Sequence, residues 1–259
     1  MNPTDDALLN LLARLQLTAR RDRLDTLLDE ATRRELNRRE ALTFLGEAEV
    51  ARREQRRLEM ATRLAKFPCA RPLEGFDFAA QPSLDPKHRR ELALCRWVGN
   101  GDCLLLLGPP GVGKTHLAVA LGGAAIQQGY SVLFTPATAL VAGLAKAHGD
   151  GRLEERLSQW AKPKLLIIDE LGYLPFEPNA AHLFFQRVSR RYERGSLLLT
   201  SNRRVGEWGT VFGDPVVATA ILDRLLHHSH VLTIRGESYR LREKRRSGLL
   251  KPAPVPPTQ

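Results

Sequence analysis

The segment from Gly108 to Thr115, GPPGVGKT, matches G-x-x-x-x-G-K-[ST], a pattern in which a glycine-rich loop binds phosphate. An apolar run precedes it at 103–108 and a helical pattern follows it at 115–129, so that backbone N–H groups and the positive end of a helix can converge on a phosphate. We expect Lys114 to reach the β and γ phosphates of ATP and Thr115 to bind Mg²⁺. The predicted nucleotide-binding residues are Gly108, Pro109, Pro110, Gly111, Val112, Gly113, Lys114, Thr115 and His116.

Two carboxylates stand at the end of another apolar run. Asp169 closes the run KLLIID at 164–169, and Glu170 follows it directly. An open α/β sheet binds its ligand at the carboxyl ends of its strands, so we expect both side chains beside the phosphate. Asp169 is the predicted second partner of Mg²⁺, directly or through water. Glu170 is turned to the other side and is predicted to orient and deprotonate the attacking water.

A third polar group ends the run SLLLTSN at 196–202. Its side chains could form hydrogen bonds with the γ-phosphate or with the attacking water. We favour Asn202 for this role, with Ser201 or Thr200 as neighbours. A turn that starts with Ser and Asn is the structural alternative.

The elements that must position these groups form an alternating pattern. Continuous apolar strands separated by helices imply a parallel sheet covered by helices on both faces, so the fold class is α/β. Residues 4–66 contain no proline and are rich in strong helix formers, which predicts a small all-helical region. The predicted organisation is a helical domain at 1–66, a linker at 67–86, an ATPase domain at 87–246 that starts with a helix at about 86–98, and a disordered basic and proline-rich tail at 247–259. The predicted strands are 103–108, 131–135, 164–169, 196–202 and 230–234.

The formal net charge of +10 favours a polyanionic partner, because each phosphate that Lys or Arg neutralises releases counterions. In a helix predicted at about 47–66, basic residues are three and four positions apart, which places most of them along one side. We predict that this side contacts double-stranded DNA. The alternative is a solvated face balanced by Glu49, Glu54 and Glu59. The predicted DNA-contacting residues are Arg52, Arg53, Arg56, Arg57, Arg63 and Lys66.

Cysteine usage and hydropathy indicate the compartment. Cys69, Cys95 and Cys103 form neither an even disulfide set nor a C-x-x-C pair, and the sequence opens without an apolar signal peptide. No apolar run approaches the roughly 20 residues that a membrane-spanning helix needs. These features predict a cytoplasmic protein without a membrane partner.

The run ILDRLLHHSHV at 221–231 contains three histidines, His227, His228 and His230. A zinc site is disfavoured, because no cysteine lies nearby to complete a set of four ligands. We expect these histidines to end a helix, where a cationic imidazole suits the negative end of the helix dipole, or to line a subunit boundary.

Several motifs together resemble the DnaC/IstB branch of AAA+ P-loop ATPases, and more closely the IstB-like helper ATPases of bacterial insertion-sequence transposition. The motifs are GPPGVGKTHLA, LLIIDELGYLPF, TSN, ILDRLLHHSHVL, LEGFDF, VSRRYERGS, EWGTVFGD and GESYRLRE, and the resemblance covers roughly residues 5–246. It implies an AAA+ core with a five-stranded parallel sheet and a helical DNA-binding region before it. It also implies a homo-oligomer, ring or helical filament, that forms with ATP on target DNA and recruits or stimulates a DDE-type transposase.

The resemblance further implies roles for two arginines. ATP hydrolysis needs a cation at the γ-phosphate, and Asp223–Arg224 resembles the element that supplies an arginine finger to a neighbouring subunit. A surface ion pair with Asp223 is the alternative for Arg224. Arg240 resembles a sensor position that contacts nucleotide in its own subunit, or it belongs to the basic tail.

Two other functions stay open at the level of sequence. A DnaC-like helicase loader would share the motifs above, and a neighbouring replication gene instead of a transposase gene would indicate it. A metabolic P-loop kinase would need an arginine-rich lid and an acceptor pocket, and the sequence has no evident acceptor site. Glu170 directly after Asp169 also suits water activation better than phosphoryl transfer to a metabolite.

Overall fold

A computed structural model describes residues 3–69, 71–78, 81, 85–173, 176, 178–239, 241 and 247. Two predictions therefore lie outside the described residues: the nucleotide contact of Arg240 and, apart from Ser247, the tail at 247–259. The chain forms two compact units, residues 1–60 and 61–259. The predicted domain limits at 66 and 86 stay predictions.

The first unit is helical. Its elements are α1 (Pro3–Arg14), α2 (Thr18–Arg33) and α3 (Arg38–Ala65), and α3 continues into the second unit. Leu12 and Leu27 are buried in this unit. The prediction that the last helix starts at about residue 47 was wrong, because Asn37 and Glu40 form a capping box. The Asn37 side chain accepts two first-turn N–H groups at 3.0 Å, and the Glu40 carboxylate accepts the Asn37 N–H at 2.8 Å.

The second unit contains a sheet and the helices that cover it. Its helices are α4 (Pro86–Ala93), α5 (Arg96–Asn100), α6 (Lys114–Gln127), α7 (Ala137–Gly149), α8 (Leu153–Ala161), α9 (Pro178–Arg191), α10 (Trp208–Phe212) and α11 (Pro215–His227). Its strands are β1 (Cys103–Leu107), β2 (Val132–Pro136), β3 (Leu165–Leu171), β4 (Ser196–Ser201) and β5 (Ser229–Thr233). The single helix predicted at 86–98 was wrong: Cys95 has a φ of 53°, and this left-handed residue separates α4 from α5. None of the described helices has the length and apolar character needed to span a bilayer.

The five strands are parallel and follow the order β2-β3-β4-β1-β5. The predicted α/β class with a five-stranded parallel sheet is confirmed. Each strand lies within two residues of its predicted limits, because strands buried on both faces appear in the sequence as unbroken apolar runs. β1 is flanked by β4 and β5, so side chains at the carboxyl ends of these strands are neighbours.

Both faces of the sheet are covered. On one face Leu105, Ile168 and Leu199 pack with side chains of α7, α9 and α11 in the main hydrophobic core. Alternate strand residues such as Ile167 point to the opposite face, where α6 packs across β1, β3 and β4. The loop between β1 and α6 is thereby fixed at the carboxyl edge of the sheet.

Arg191, the last residue of α9, ties the amino edge of the sheet together. Its side chain is buried, and burial lowers its pKa to about 10. Its guanidinium donates hydrogen bonds to five carbonyl oxygens, those of Trp160 (3.3 Å), Ala161 (3.3 Å), Pro163 (2.8 Å), Lys164 (2.7 Å) and Ser196 (2.8 Å). One side chain thus joins the end of α8 to the starts of β3 and β4.

Candidate functional site

The glycine-rich loop leaves β1 and ends at the first residue of α6. Gly108 has a φ of 151°, and a Cβ there would lie 2.2 Å from the carbonyl oxygen of Ile234, so a larger residue does not fit. Gly113 has a φ of 97°, and a Cβ there would lie 2.8 Å from the Phe76 ring. These two glycines permit the tight turn that a phosphate-binding loop requires.

Lys114 folds back over this loop. Its Nζ donates to the carbonyl oxygens of Gly108 at 2.7 Å and Pro109 at 2.8 Å. Burial lowers the pKa of the Lys114 ammonium, while the carboxylates of Asp169 and Glu170 act in the opposite direction. The loop therefore places its one lysine beside two carboxylates.

Asp169 is held by hydroxyl groups from two other elements. The Thr115 hydroxyl, in α6, lies 3.0 Å from each carboxylate oxygen of Asp169. Thr200, fully buried in β4, donates its hydroxyl to Asp169 Oδ1 at 2.5 Å. The same Thr200 oxygen accepts the backbone N–H of Glu170 at 2.9 Å. The Asp169 carboxylate thus joins α6, β3 and β4.

Glu170 lies inside β3, which extends beyond the predicted strand end at 169 to Leu171. Its φ is 61°, in the left-handed region, and the pairing of β3 with β4 shifts register between Ile168 and Leu171. A bulge of this kind redirects a side chain. Asp169 is consequently buried, whereas Glu170 is exposed to the cleft.

The polar end of β4 divides into three different environments. Thr200 contacts Asp169, as described above. Ser201 is also buried, and its hydroxyl donates to the Leu171 carbonyl oxygen at 2.7 Å and accepts the Arg203 N–H at 3.1 Å. Asn202 is exposed and borders the cleft. The Ser201 hydroxyl therefore bonds to backbone groups, whereas Asn202 faces the open cleft.

These groups line a cleft of about 460 Å³ at the carboxyl edge of the sheet. The side chains brought together there include Lys114, Thr115, Glu170, Thr200 and Asn202. The cleft has further lining residues to which the sequence pattern assigned no role: Cys69, Arg71, Phe76, Asp77, Gln81 and Tyr239. The sequence signal that could have indicated this part of the cleft was the pair of aromatic residues in GFDF, shortly before the first helix of this unit.

His116, predicted to contact nucleotide, also borders this cleft. Its ring packs edge-on against Phe76, with centroids 5.1 Å apart. Burial lowers the pKa of His116, nearby Arg71 acts in the same direction, and a hydrogen bond to the Pro72 backbone opposes them. The neutral imidazole is therefore favoured.

Arg224 lies far from this cleft, in the last turn of α11. Its guanidinium donates to the Ala220 carbonyl oxygen at 3.1 Å and packs over the Phe185 ring, 4.6 Å from the centroid. It shares a small cavity with Cys103 and Leu197, which lie at the amino ends of β1 and β4. A five-residue strand spans roughly 16 Å, so Arg224 and Lys114 stand at opposite edges of the sheet.

The three histidines lie at the junction of α11 and β5, with His227 as the last helical residue. His227 Nδ1 is 2.7 Å from the Tyr192 hydroxyl oxygen. His230 Nε2 is 3.7 Å from an Asp102 carboxylate oxygen. Three exposed residues, His227, His228 and Glu193, each place one potential metal-ligand atom within 4.8 Å of the others. In the described part of the chain no fourth ligand joins this group.

The residues predicted to contact DNA lie on α3, apart from Lys66, which follows it. Arg53 and Arg57 contact acidic neighbours. Arg53 Nε is 2.9 Å from Glu49 Oε1, and its Nη2 donates to the Gln16 carbonyl oxygen at 3.1 Å. Arg57 Nη2 is 3.5 Å from Glu54 Oε1. Acidic residues of the same helix therefore balance part of its positive charge.

Comparisons with known proteins agree with this architecture. The family model described as IstB-like ATP binding protein matches residues 10–247. An ATP-binding protein of insertion sequence IS21 from Pseudomonas aeruginosa is 49% identical over 240 residues, covering 93% of this chain and 91% of its own. An ATP-binding protein of insertion sequence IS5376 from Geobacillus stearothermophilus is 45% identical, with 90% and 92% covered. Among solved structures, the replication initiator DnaA bound to AMPPCP and single-stranded DNA has a TM-score of 0.54 at 20% identity. This similarity covers 73% of this chain and 58% of DnaA, and it shows a shared AAA+ fold.

Proposed function

Because the chain belongs to the family of IstB-like ATP-binding proteins, we propose that it is a Mg²⁺-dependent ATPase that regulates insertion-sequence transposition. In this proposal it oligomerises on double-stranded DNA in its ATP-bound form and recruits a DDE-type transposase to that DNA. Hydrolysis of ATP to ADP and phosphate controls the assembly. The observation that carries the proposal is the set of contacts that joins Thr115, Asp169, Thr200 and Glu170 beside the glycine-rich loop.

The residues at the loop suit a magnesium nucleotide. Thr115 and Asp169 bring hydroxyl and carboxylate oxygens within 3.0 Å of each other, and oxygen ligands are the ones that Mg²⁺ prefers. When bound, Mg²⁺ neutralises charge on the β and γ phosphates. Lys114 exchanges its bonds to the loop carbonyls for bonds to phosphate oxygens, and the loop N–H groups bind the β-phosphate.

Groups that face the cleft carry out the chemical step. Glu170 orients a water molecule in line with the γ-phosphate and accepts its proton as the oxygen attacks phosphorus. The bond from phosphorus to the bridging oxygen breaks, and ADP leaves with the electron pair. Asn202 donates a hydrogen bond to the γ-phosphate or to the attacking water.

Binding to DNA is proposed for the basic side of α3. Arg56 and Arg63 are exposed there, and the chain as a whole carries a net charge of +10. Such contacts are electrostatic and weakly selective for sequence, because few aromatic residues lie among the arginines to stack on bases. The affinity for duplex DNA therefore falls steeply as the salt concentration rises.

The position of Arg224 supports the proposed assembly of subunits. A side chain at the edge opposite Lys114 serves as a finger only for the nucleotide of a neighbouring subunit. Such a head-to-tail contact repeats from subunit to subunit, so that the assembly is a ring or a helical filament.

Two substitutions test the ATPase. Lys114→Ala is expected to abolish tight binding of ATP, because the phosphates lose their cation, whereas Glu170→Gln is expected to bind ATP normally and to stop hydrolysis. Nucleotide affinity, phosphate release and sedimentation with duplex DNA are measured for both variants. We expect Glu170→Gln to remain on DNA with ATP and Lys114→Ala to fail to assemble. Hydrolysis by Glu170→Gln at the parental rate would remove Glu170 from the mechanism.

A further inference from the structure

Gln81 is a buried polar side chain that borders the cleft and has no part in the proposed reaction. It is 3% exposed, and its Nε2 donates to the carbonyl oxygen of Val112, in the glycine-rich loop, at 3.1 Å. Because a carbonyl oxygen can only accept, this bond fixes which end of the amide is the NH₂ group. The other end is Oε1, and no hydrogen-bond donor among the described residues reaches it.

A buried carbonyl oxygen without a donor is costly, so such atoms normally have a protein, water or ligand partner. The surroundings of Gln81 favour a flat ligand. Phe76 packs against Phe78, with ring centroids 4.6 Å apart, and against His116. Tyr239 borders the same cleft and is attached to the loop by its N–H, which donates to the Gly111 carbonyl oxygen at 3.0 Å. Aromatic walls with one acceptor suit a planar heterocycle that carries an N–H donor.

The two common purines differ in what they offer this acceptor. Adenine carries an amino group at position 6, which donates, whereas guanine carries a carbonyl oxygen there, which repels another carbonyl oxygen. We propose that Gln81 selects adenine: its Oε1 accepts a hydrogen bond from the 6-amino group of the bound nucleotide. This inference rests on the proposed function, because it requires that the cleft binds a nucleoside triphosphate.

The first test changes the ligand and leaves the protein intact. Calorimetric titration compares ATP, GTP and purine riboside triphosphate, which has hydrogen in place of the 6-amino group. We expect ATP to bind roughly tenfold or more tightly than either of the others, the usual loss when a buried acceptor stays unpaired. Equal affinities for ATP and purine riboside triphosphate would overturn the role of Gln81 and leave the ATPase proposal standing. Failure of all three to bind would contradict both.

The second test changes the protein. Gln81→Met keeps much of the side-chain length but removes the acceptor. It also removes the bond to Val112, which weakens the loop for every triphosphate alike, so the readout is the ratio of the two affinities. We expect the ratio of ATP to purine riboside triphosphate to fall to about one. Cys69→Ser, an exposed residue of the same cleft, is the matched control and should keep the wild-type ratio.

A wild-type ratio in Gln81→Met would assign the discrimination to another group and overturn the proposal. Equal affinities of the unaltered protein for ATP and purine riboside triphosphate would overturn it as well, whether or not Gln81→Met folds.

Discussion

At the scale of the residue, Thr200 has the most specific geometry in the cleft. A single buried hydroxyl donates to Asp169 Oδ1 and accepts the Glu170 N–H, and so it orients the carboxylate proposed to bind Mg²⁺ and the backbone of the residue proposed to activate water. Thr200 touches neither nucleotide nor water in this scheme. It is a positioning residue.

Replacing Thr200 tests this role. Thr200→Val keeps the shape and removes the hydroxyl, and we expect kcat for ATP hydrolysis to fall about 10- to 100-fold, with KM little changed, as for other residues that orient a metal ligand. Thr200→Ser keeps the hydroxyl and is expected to recover most of kcat. Steady-state ATPase assays measure both values. An unchanged kcat in Thr200→Val together with a loss in Thr200→Ser would mean that only the packing of the methyl group matters.

The sequence predicts the residues of this cleft unevenly. Lys114, Thr115 and Glu170 were expected at the same edge because each follows or ends an apolar strand, and they lie together. The contacts of Thr200 depend on the register shift in β3, which has no signature in the sequence. Gln81 lies in an irregular segment without periodicity, and its burial depends on tertiary packing alone.

At the scale of the element, Arg191 and its neighbour Arg190 in α9 form contacts of different kinds. Arg191 serves five carbonyl oxygens at the amino edge of the sheet, whereas Arg190 pairs with the exposed Glu154, 2.5 Å away. Arg191→Ala is expected to lower the free energy of unfolding by about 3 kcal/mol, because buried carbonyl groups lose their donor. Arg190→Ala, the matched control, should cost at most about 1 kcal/mol, because it removes a surface ion pair.

Urea denaturation of both variants measures this difference. Arg191→Lys should stay close to Arg191→Ala, since one ammonium cannot replace the planar fork of five donors. Equal stability of Arg190→Ala and Arg191→Ala would show that the connection through Arg191 contributes little.

The helices and strands differ in how far the sequence predicts them. The strands were placed within two residues because burial on both faces demands unbroken apolar runs. The predicted helix limits were wrong where a single side chain or a single φ angle determines where the helix begins or ends. The start of α3 depends on the Asn37 and Glu40 capping box, and the break between α4 and α5 depends on Cys95.

At the scale of the whole molecule, the two halves of each ATPase site belong to different subunits of the proposed assembly. Arg224 and Lys114 stand at opposite edges of one sheet, so that in this proposal a complete site needs two subunits. Arg224→Ala is expected to bind ATP almost normally as a monomer and to lose hydrolysis on the order of 10³-fold or more. It should also lose assembly that depends on ATP.

Mixing two inactive variants tests the arrangement. In an equal mixture of Arg224→Ala and Lys114→Ala, about a quarter of random head-to-tail encounters join an intact loop to an intact finger, and these boundaries can form although neither variant assembles alone. We expect a corresponding share of the ATPase activity to return. Glu170→Gln mixed with Lys114→Ala is the control, because both changes damage the same half and cannot complement each other. No recovery in variants shown to co-assemble would assign Arg224 to its own subunit or to the fold.

In the proposed assembly, the separation of Arg224 from the cleft also gives an open chain of subunits two unlike ends. A ring of n subunits has n complete sites, but an open chain has n − 1, because the subunit at one end has a cleft that no neighbour's arginine reaches. We therefore expect that terminal subunit to hold ATP without hydrolysing it, while every interior subunit turns it over. The rate per subunit therefore increases with the length of the chain. In this proposal the nucleotide itself marks one end, so that we expect growth and disassembly to have a direction along the DNA.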